Sequence, residues 1–289
     1  MKRLVALLSS ATILSVSAAS AQSVVYDGFS VSDYTDGATV DSLGGGAGWD
    51  GNWSVDTSAN ESNLNRYWAS SYSLGYTDTH GNNLVTSPGS LELRAAGSGA
   101  GALNRPFSEP ASGEVWFSFL NIRTTDDSWN YDLQFLDAGG GIQFRIQNDG
   151  SGNFRLNQDG GSVASLDIVN HTTDEEPQGQ LFVGQLTNVG SGSADSTMTV
   201  WVNPDNLLDL SEGAEAVAAL TDREVSALAS FNFDKGANTT GFFDEFRIGA
   251  SAGEVMPIPE PATYAWWLAA VTAGVLLWRR RAARSRVPA

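Results

Sequence analysis

The 289-residue chain contains no cysteine, which excludes disulfide staples, thiolate metal centres and a cysteine nucleophile. Histidine is almost as scarce: only His80 and His171 occur, too few and too far apart for a multi-histidine metal site within one chain. Basic residues are few and unevenly placed. Lys2, Arg3, Arg279, Arg280, Arg281, Arg284 and Arg286 stand at the extreme ends, so the stretch between them sets nine of the 16 basic residues against all 33 acidic ones. A body so acidic, in a chain of net charge −17, excludes nucleic acid as a partner, because phosphate binding needs Lys and Arg to displace counterions. Also missing is a Gly-x-x-x-x-Gly-Lys phosphate loop, so the NTPase class with that local signature finds no support.

What is present points to strands. The 31 glycines, with abundant Asn, Asp and Ser, supply turns. Ile142, Phe144 and Ile146 alternate with Gln143, Arg145 and Gln147, the pattern of a strand with one face inward. After the turn residues 148–153 the alternation resumes with Phe154 and Leu156, which makes a hairpin. Tyr131, Leu133 and Phe135 alternate before it. Val115 to Ile122 is apolar on both parities, as expected of a strand covered on two faces. Gln180 to Val189, Thr197 to Val202 and Phe242 to Ile248 read as further strands. Helix signals are sparse: Thr221-Asp222-Arg223-Glu224 matches a capping box and predicts two turns, and Leu207 to Leu220 reads as mostly irregular. Many short strands within residues 22–253 predict two packed antiparallel sheets.

The ends read as addresses. Residues 1–21 have a Lys2-Arg3 n-region, an apolar run from Leu4 to Val16 and a small-x-small triplet, Ala19-Ser20-Ala21, the pattern of a secretory signal peptide. Residues 254–261 form a linker that closes with Pro259-Glu260-Pro261, whose prolines hold the backbone extended. Residues 262–278 carry no charge; as a helix they would cover roughly 25 Å, within reach of a bilayer core when Trp266, Trp267 and Trp278 anchor the ends. Residues 279–289 open with Arg279-Arg280-Arg281, a cytoplasmic basic stop. Pro-Glu-Pro, an apolar helix and an Arg cluster in that order resemble the PEP-CTERM sorting signal. The resemblance implies a precursor held transiently in the inner membrane and processed by an exosortase, with Glu260 and its prolines as substrate residues, then displayed on the cell surface or in the extracellular matrix.

Within the body, Tyr26-Asp27-Gly28-Phe29, Val200-Trp201-Val202-Asn203-Pro204 and Phe243-Asp244-Glu245-Phe246-Arg247-Ile248-Gly249 resemble concanavalin A-like, laminin-G-like jelly rolls. The resemblance implies an all-β, two-sheet antiparallel jelly-roll sandwich. Asp244 shares strand parity with Phe242, Phe246 and Ile248, so it is expected on the core side, where a carboxylate needs a cation or several donors. Calcium suits Asp outside the cell, and the resemblance offers Asp27 as a second ligand. The other reading hydrogen-bonds Asp244 to backbone amides.

Trp68 and Trp129, in polar and turn-rich surroundings, are candidates for stacking on sugar rings, whereas Trp116 and Trp201 read as core. The adjacent carboxylates Asp126-Asp127, Asp174-Glu175-Glu176 and Asp244-Glu245 do not form the alternating Glu-x-Asp-x-Glu that would share one strand face, so no catalytic residue is assigned. The expected function is that of an exported, sorted surface or exopolysaccharide-matrix protein without catalytic activity, with extracellular polysaccharide as a candidate ligand. The alternative is a carbohydrate-active enzyme, a glucanase or lyase.

Overall fold

A computed structural model describes residues 25–56, 65–94, 101–123, 130–149, 154–158, 162–166, 179–236 and 240–258. The stretch 1–21 read as a signal peptide, Pro259-Glu260-Pro261, the apolar stretch 262–278, Arg279-Arg280-Arg281 and Trp129 lie outside these residues. The strands are β1 (Val25–Asp27), β2 (Ser54–Val55), β3 (Tyr67–Ser70), β4 (Ser90–Leu93), β5 (Gly101–Ala111), β6 (Gly113–Arg123), β7 (Asn130–Leu136) and β8 (Ile142–Asp149). They continue as β9 (Phe154–Gln158), β10 (Ser162–Leu166), β11 (Gln180–Val189), β12 (Ser196–Pro204), β13 (Ala214–Arg223), β14 (Leu228–Lys235) and β15 (Gly241–Gly249). Among the described residues the one α-helix is a single turn, α1 (Ala252–Val255).

The strands form two antiparallel sheets. The first runs β13-β12-β11-β6-β15-β4-β3, with β1 added beside β15; the second runs β10-β9-β8-β7-β14-β5-β2. Their inner faces meet in one aromatic core that contains Phe117, Phe119, Phe135, Phe144, Phe231, Phe233, Phe243 and Phe246. This is the all-β sandwich that the alternation predicts. Strand β6 is covered on both sides, as its sequence requires: Val115, Phe117 and Phe119 join the main core, while Leu120 and Ile122 enter a second cluster outside the first sheet. That second cluster also holds Leu74, Leu84, Leu207, Val255 and Met256, so loops and the C-terminal segment cover the outer side of the first sheet.

Three expectations are corrected. The capping-box segment is strand: Thr221 lies within β13, which runs on to Arg223, rather than opening a helix, and its hydroxyl donates to the Asp222 carboxylate (3.1 Å). Asp222 takes a left-handed backbone (φ 58), and pairing of β13 with β12 outweighs the local propensity. For the same reason residues 214–220 are strand instead of irregular, with Ala218 and Leu220 buried on its inner parity. The third correction concerns β15. Glu245 is left-handed (φ 54), and the register shifts between Asp244 and Arg247. This bulge reverses parity. Phe246 and Ile248 enter the main core, while Phe242 packs on the outer cluster and Asp244 pairs with Leu120 of that cluster.

Candidate functional site

The two aspartates read as calcium ligands are held apart by that bulge. Asp27, opposite Phe246 in β1, points into the main core and is 1% exposed. Its Oδ2 accepts from Arg105 Nη1 (2.8 Å), the Tyr34 hydroxyl (2.6 Å) and the Trp53 indole (2.9 Å), and its Oδ1 accepts from the Phe29 amide (2.9 Å). Burial pushes the Asp27 carboxyl up, while the Tyr34, Phe29 and Trp53 hydrogen bonds and the Arg105 charge pull against it. Arg105 comes from β5, so the ion pair bridges the sheets with the protein's own cation.

Asp244 lies on the opposite face of the first sheet. Its oxygens accept from the Glu245 amide (2.7 Å) and the Leu74 amide (3.3 Å), the amide-bonded alternative considered from sequence. Burial and the neighbouring Glu245 charge hold its pKa well above the ordinary range. Neither carboxylate fits a shared calcium: one is fully occupied by donors, the other is across a sheet, and the described residues bring no third His, Cys, Asp or Glu to either.

One face of the half-buried Trp68 ring is covered. The Arg94 guanidinium lies 4.3 Å over its ring and is itself held by Glu92 (2.6 Å), and the indole donates to the Asn65 carbonyl (2.9 Å). Trp116 and Trp201 stack on each other, 6.0 Å apart and 10° from parallel, half-buried outside the first sheet rather than in the main core.

The outer face of the second sheet is different. The antiparallel registers align one row of residues across five strands, Asn104, Asn232, Gln134, Arg145 and Asn157. A second row beside it runs Ala102, Asp234, Asp132, Gln147 and Arg155. Nine of these ten residues carry an amide, a carboxylate or a guanidinium. At about 4.8 Å per strand the rows extend about 19 Å.

The side chains hold one another in place. Asn232 Nδ2 donates to Gln134 Oε1 (2.8 Å), Asn157 Nδ2 to Gln147 Oε1 (3.0 Å), Arg145 Nη1 to Asp132 Oδ2 (3.3 Å), and Asn104 Nδ2 to the Phe231 carbonyl (3.2 Å). Asp132 and Asp234 face each other directly across β7 and β14. Burial, then the Asp132 charge, raises Asp234 from an ordinary 3.8 to about 6, against the pull of Arg66. Asp132 is also raised by burial, with Arg145, Gln134 and Gln147 opposing the shift. Chemically this is a band of donors and acceptors with little net charge, only partly hydrogen-bonded among themselves, with Asp132 Oδ1, Arg145 Nε and Asp234 Oδ1 left without partners, and suited to the hydroxyls of a neutral polyol. Aromatic and adjacent-carboxylate searches pass over it, since its members are never neighbours in sequence. The signal available was the polar parity of each strand, which alternation alone reads as plain solvent exposure.

The class this defines is an all-β sandwich with a polar sheet face and a C-terminal sorting signal. The model described as the PEP-CTERM protein-sorting motif matches residues 257–281. The search of curated proteins gave no match. Among solved structures the chain is similar to the T. cruzi calreticulin globular domain (11% identity, covering 67% of this chain and 87% of that one, TM-score 0.40). It is also similar to the exoplasmic/lumenal domain of VIP36 in its Ca2+/Man3GlcNAc-bound form (8% identity, 58% and 81% covered, TM-score 0.40). A third similar structure is lactose- and MES-liganded congerin II (11% identity, 48% and 93% covered, TM-score 0.32).

Proposed function

We propose that the protein is an exported component of the cell surface or exopolysaccharide matrix. It is sorted by an exosortase through Pro259-Glu260-Pro261, and it binds polysaccharide without turning it over. The match to the sorting motif at 257–281 supports the address. The observation that carries the binding reading is the pair of in-register rows, Asn104 to Asn157 and Ala102 to Arg155, because fixed amide and carboxylate groups on a flat face can orient sugar hydroxyls. Affinity electrophoresis of the detergent-solubilised full chain, through gels containing exopolysaccharide, tests it. Retardation is expected, and Gln134→Ala with Asn232→Ala should abolish it. Unretarded migration of the unaltered chain in every polysaccharide tried would remove the binding reading while leaving the address intact.

The pair Asp132 and Asp234 favours a second reading. Two carboxyl groups across strands, one keeping its proton to about pH 6, are what glycoside cleavage uses as acid and base. Release of reducing ends that disappears in Asp234→Asn would establish an enzyme in place of a binding protein.

A further inference from the structure

The chain leaves the body under tight restraint. In α1 and the residues after it, Val255 is 0% and Met256 3% exposed, and Ile258 packs against the outer cluster of the first sheet. Ser118 Oγ donates to the Val255 carbonyl (2.5 Å), and the Val85 amide donates to the Pro257 carbonyl (2.8 Å). Val85 is itself fastened to the bulged strand: Arg247 Nη2 donates to its carbonyl (2.7 Å), and the Glu245 carboxylate accepts from the Ser87 amide and hydroxyl. Residues 255–258 are therefore a strap of the fold, not a free tether. The sorting motif begins at 257 and the uncharged stretch at Ala262. Three residues separate Ile258 from Ala262, at most about 14 Å of extended chain from one Cα to the other.

The side from which the strap emerges also differs in character from the other. Among the described residues the exposed large apolar side chains are Val31, Tyr72, Val85, Leu208 and Val217. Four of them border the outer side of the first sheet: Tyr72 stacks on Phe242 (4.5 Å), Val85 bonds the strap, Leu208 follows Leu207 of the outer cluster, and Val217 pairs with Trp201. The opposite side of the sandwich is the polar platform. We propose that the outer layer of the first sheet is a lipid-facing surface, and that in the anchored precursor Tyr72, Val85 and Leu208 rest on the bilayer with the platform turned away from it. This rests on the reading of 262–278 as a membrane anchor. Exposed carboxylates of the same layer, such as Asp209 and Glu212, restrict the contact to neutral headgroups.

The natural absence of cysteine permits single-site labelling. Full-length Leu208→Cys and Ser54→Cys, each bearing an environment-sensitive fluorophore, are reconstituted into phosphatidylcholine vesicles containing a quencher lipid. Both sites are exposed, so neither substitution disturbs the core. The expected result is loss of emission at position 208 but not at 54, reversed when a long Gly-Ser spacer is inserted between Ile258 and Pro259. Equal quenching at the two positions, in protein that floats with the vesicles, overturns the orientation and leaves the anchor standing. Failure of the chain to float removes the anchor and the orientation together.

Discussion

Arg105 and Asp27 show how much one side chain can settle. Both are nearly dry, at 4% and 1% exposure, and each satisfies the other across the two sheets while Arg105 Nε and Nη1 also donate to the carbonyls of Gly51 and Gly45 (2.9 and 3.0 Å). Removing one partner strands the other's charge in the core, so Asp27→Ala should cost about 3–5 kcal/mol in equilibrium unfolding. Restoring the missing volume with apolar groups in Asp27→Leu/Arg105→Met should recover most of that loss. A double variant as unstable as the single one would show that the pair itself, not the unpaired charge, is what matters.

Asp234 sets a pH dependence at the same scale. Its folded pKa, about 6, lies above the ordinary 3.8, so the folded state holds this proton more firmly than the unfolded chain. The contribution to stability is therefore full below about pH 4 and lost as pH rises through about 6. Thermal unfolding from pH 4 to 7 should fall less steeply in Asp234→Asn than in the unaltered protein. Parallel curves would mean that the opposed carboxylates are not coupled to folding.

Among the elements, β11 and β6 meet at a position that admits no side chain. Gly184 pairs with Phe117, and an added Cβ would stand 2.0 Å from the Phe117 ring. That ring cannot withdraw, because Phe135 and Phe144 pack it at 5.1 and 5.7 Å. Gly184→Ala should cost about 1–3 kcal/mol by overpacking, and Phe117→Leu in the same chain should relieve part of it. Denaturant midpoints of the three variants decide the matter. Elements whose apolar residues are large were readable from sequence: β8 with β9 by alternation, and β6 and β11 as apolar runs buried on both parities. Strand β13 was not, since its inward positions Ala216, Ala218 and Leu220 are mostly small and its Ala and Glu content favours a helix when only local preference is weighed. Asp244 was misplaced for a different reason. A period-2 reading assumes unbroken parity, and nothing in the residue type of Glu245 announces a left-handed backbone. The platform was hidden because cross-strand alignment, which collects Asn104, Gln134 and Asn232 into one row, is a property of register and not of local order.

At the scale of the whole molecule, the sorting motif at 257–281 carries the address, and the orientation proposed above would come from the body. Changing Pro259-Glu260-Pro261 to three alanines should leave the precursor in the inner membrane, seen by fractionation and by its unshifted size on denaturing gels. Release at the normal rate would detach the motif from sorting. That address was legible without any coordinates, because Pro-Glu-Pro, the apolar stretch and the arginines follow one another along the chain. The two-sidedness of the body was not legible, as it depends on which loops fold over which sheet. The buried guanidinium has a consequence for a protein sent beyond the cell's control. With Arg105 performing internally what a bound ion would otherwise perform at Asp27, this junction between the sheets draws nothing from the surroundings. Chelators or soft water that loosen ion-bridged slime should leave it closed.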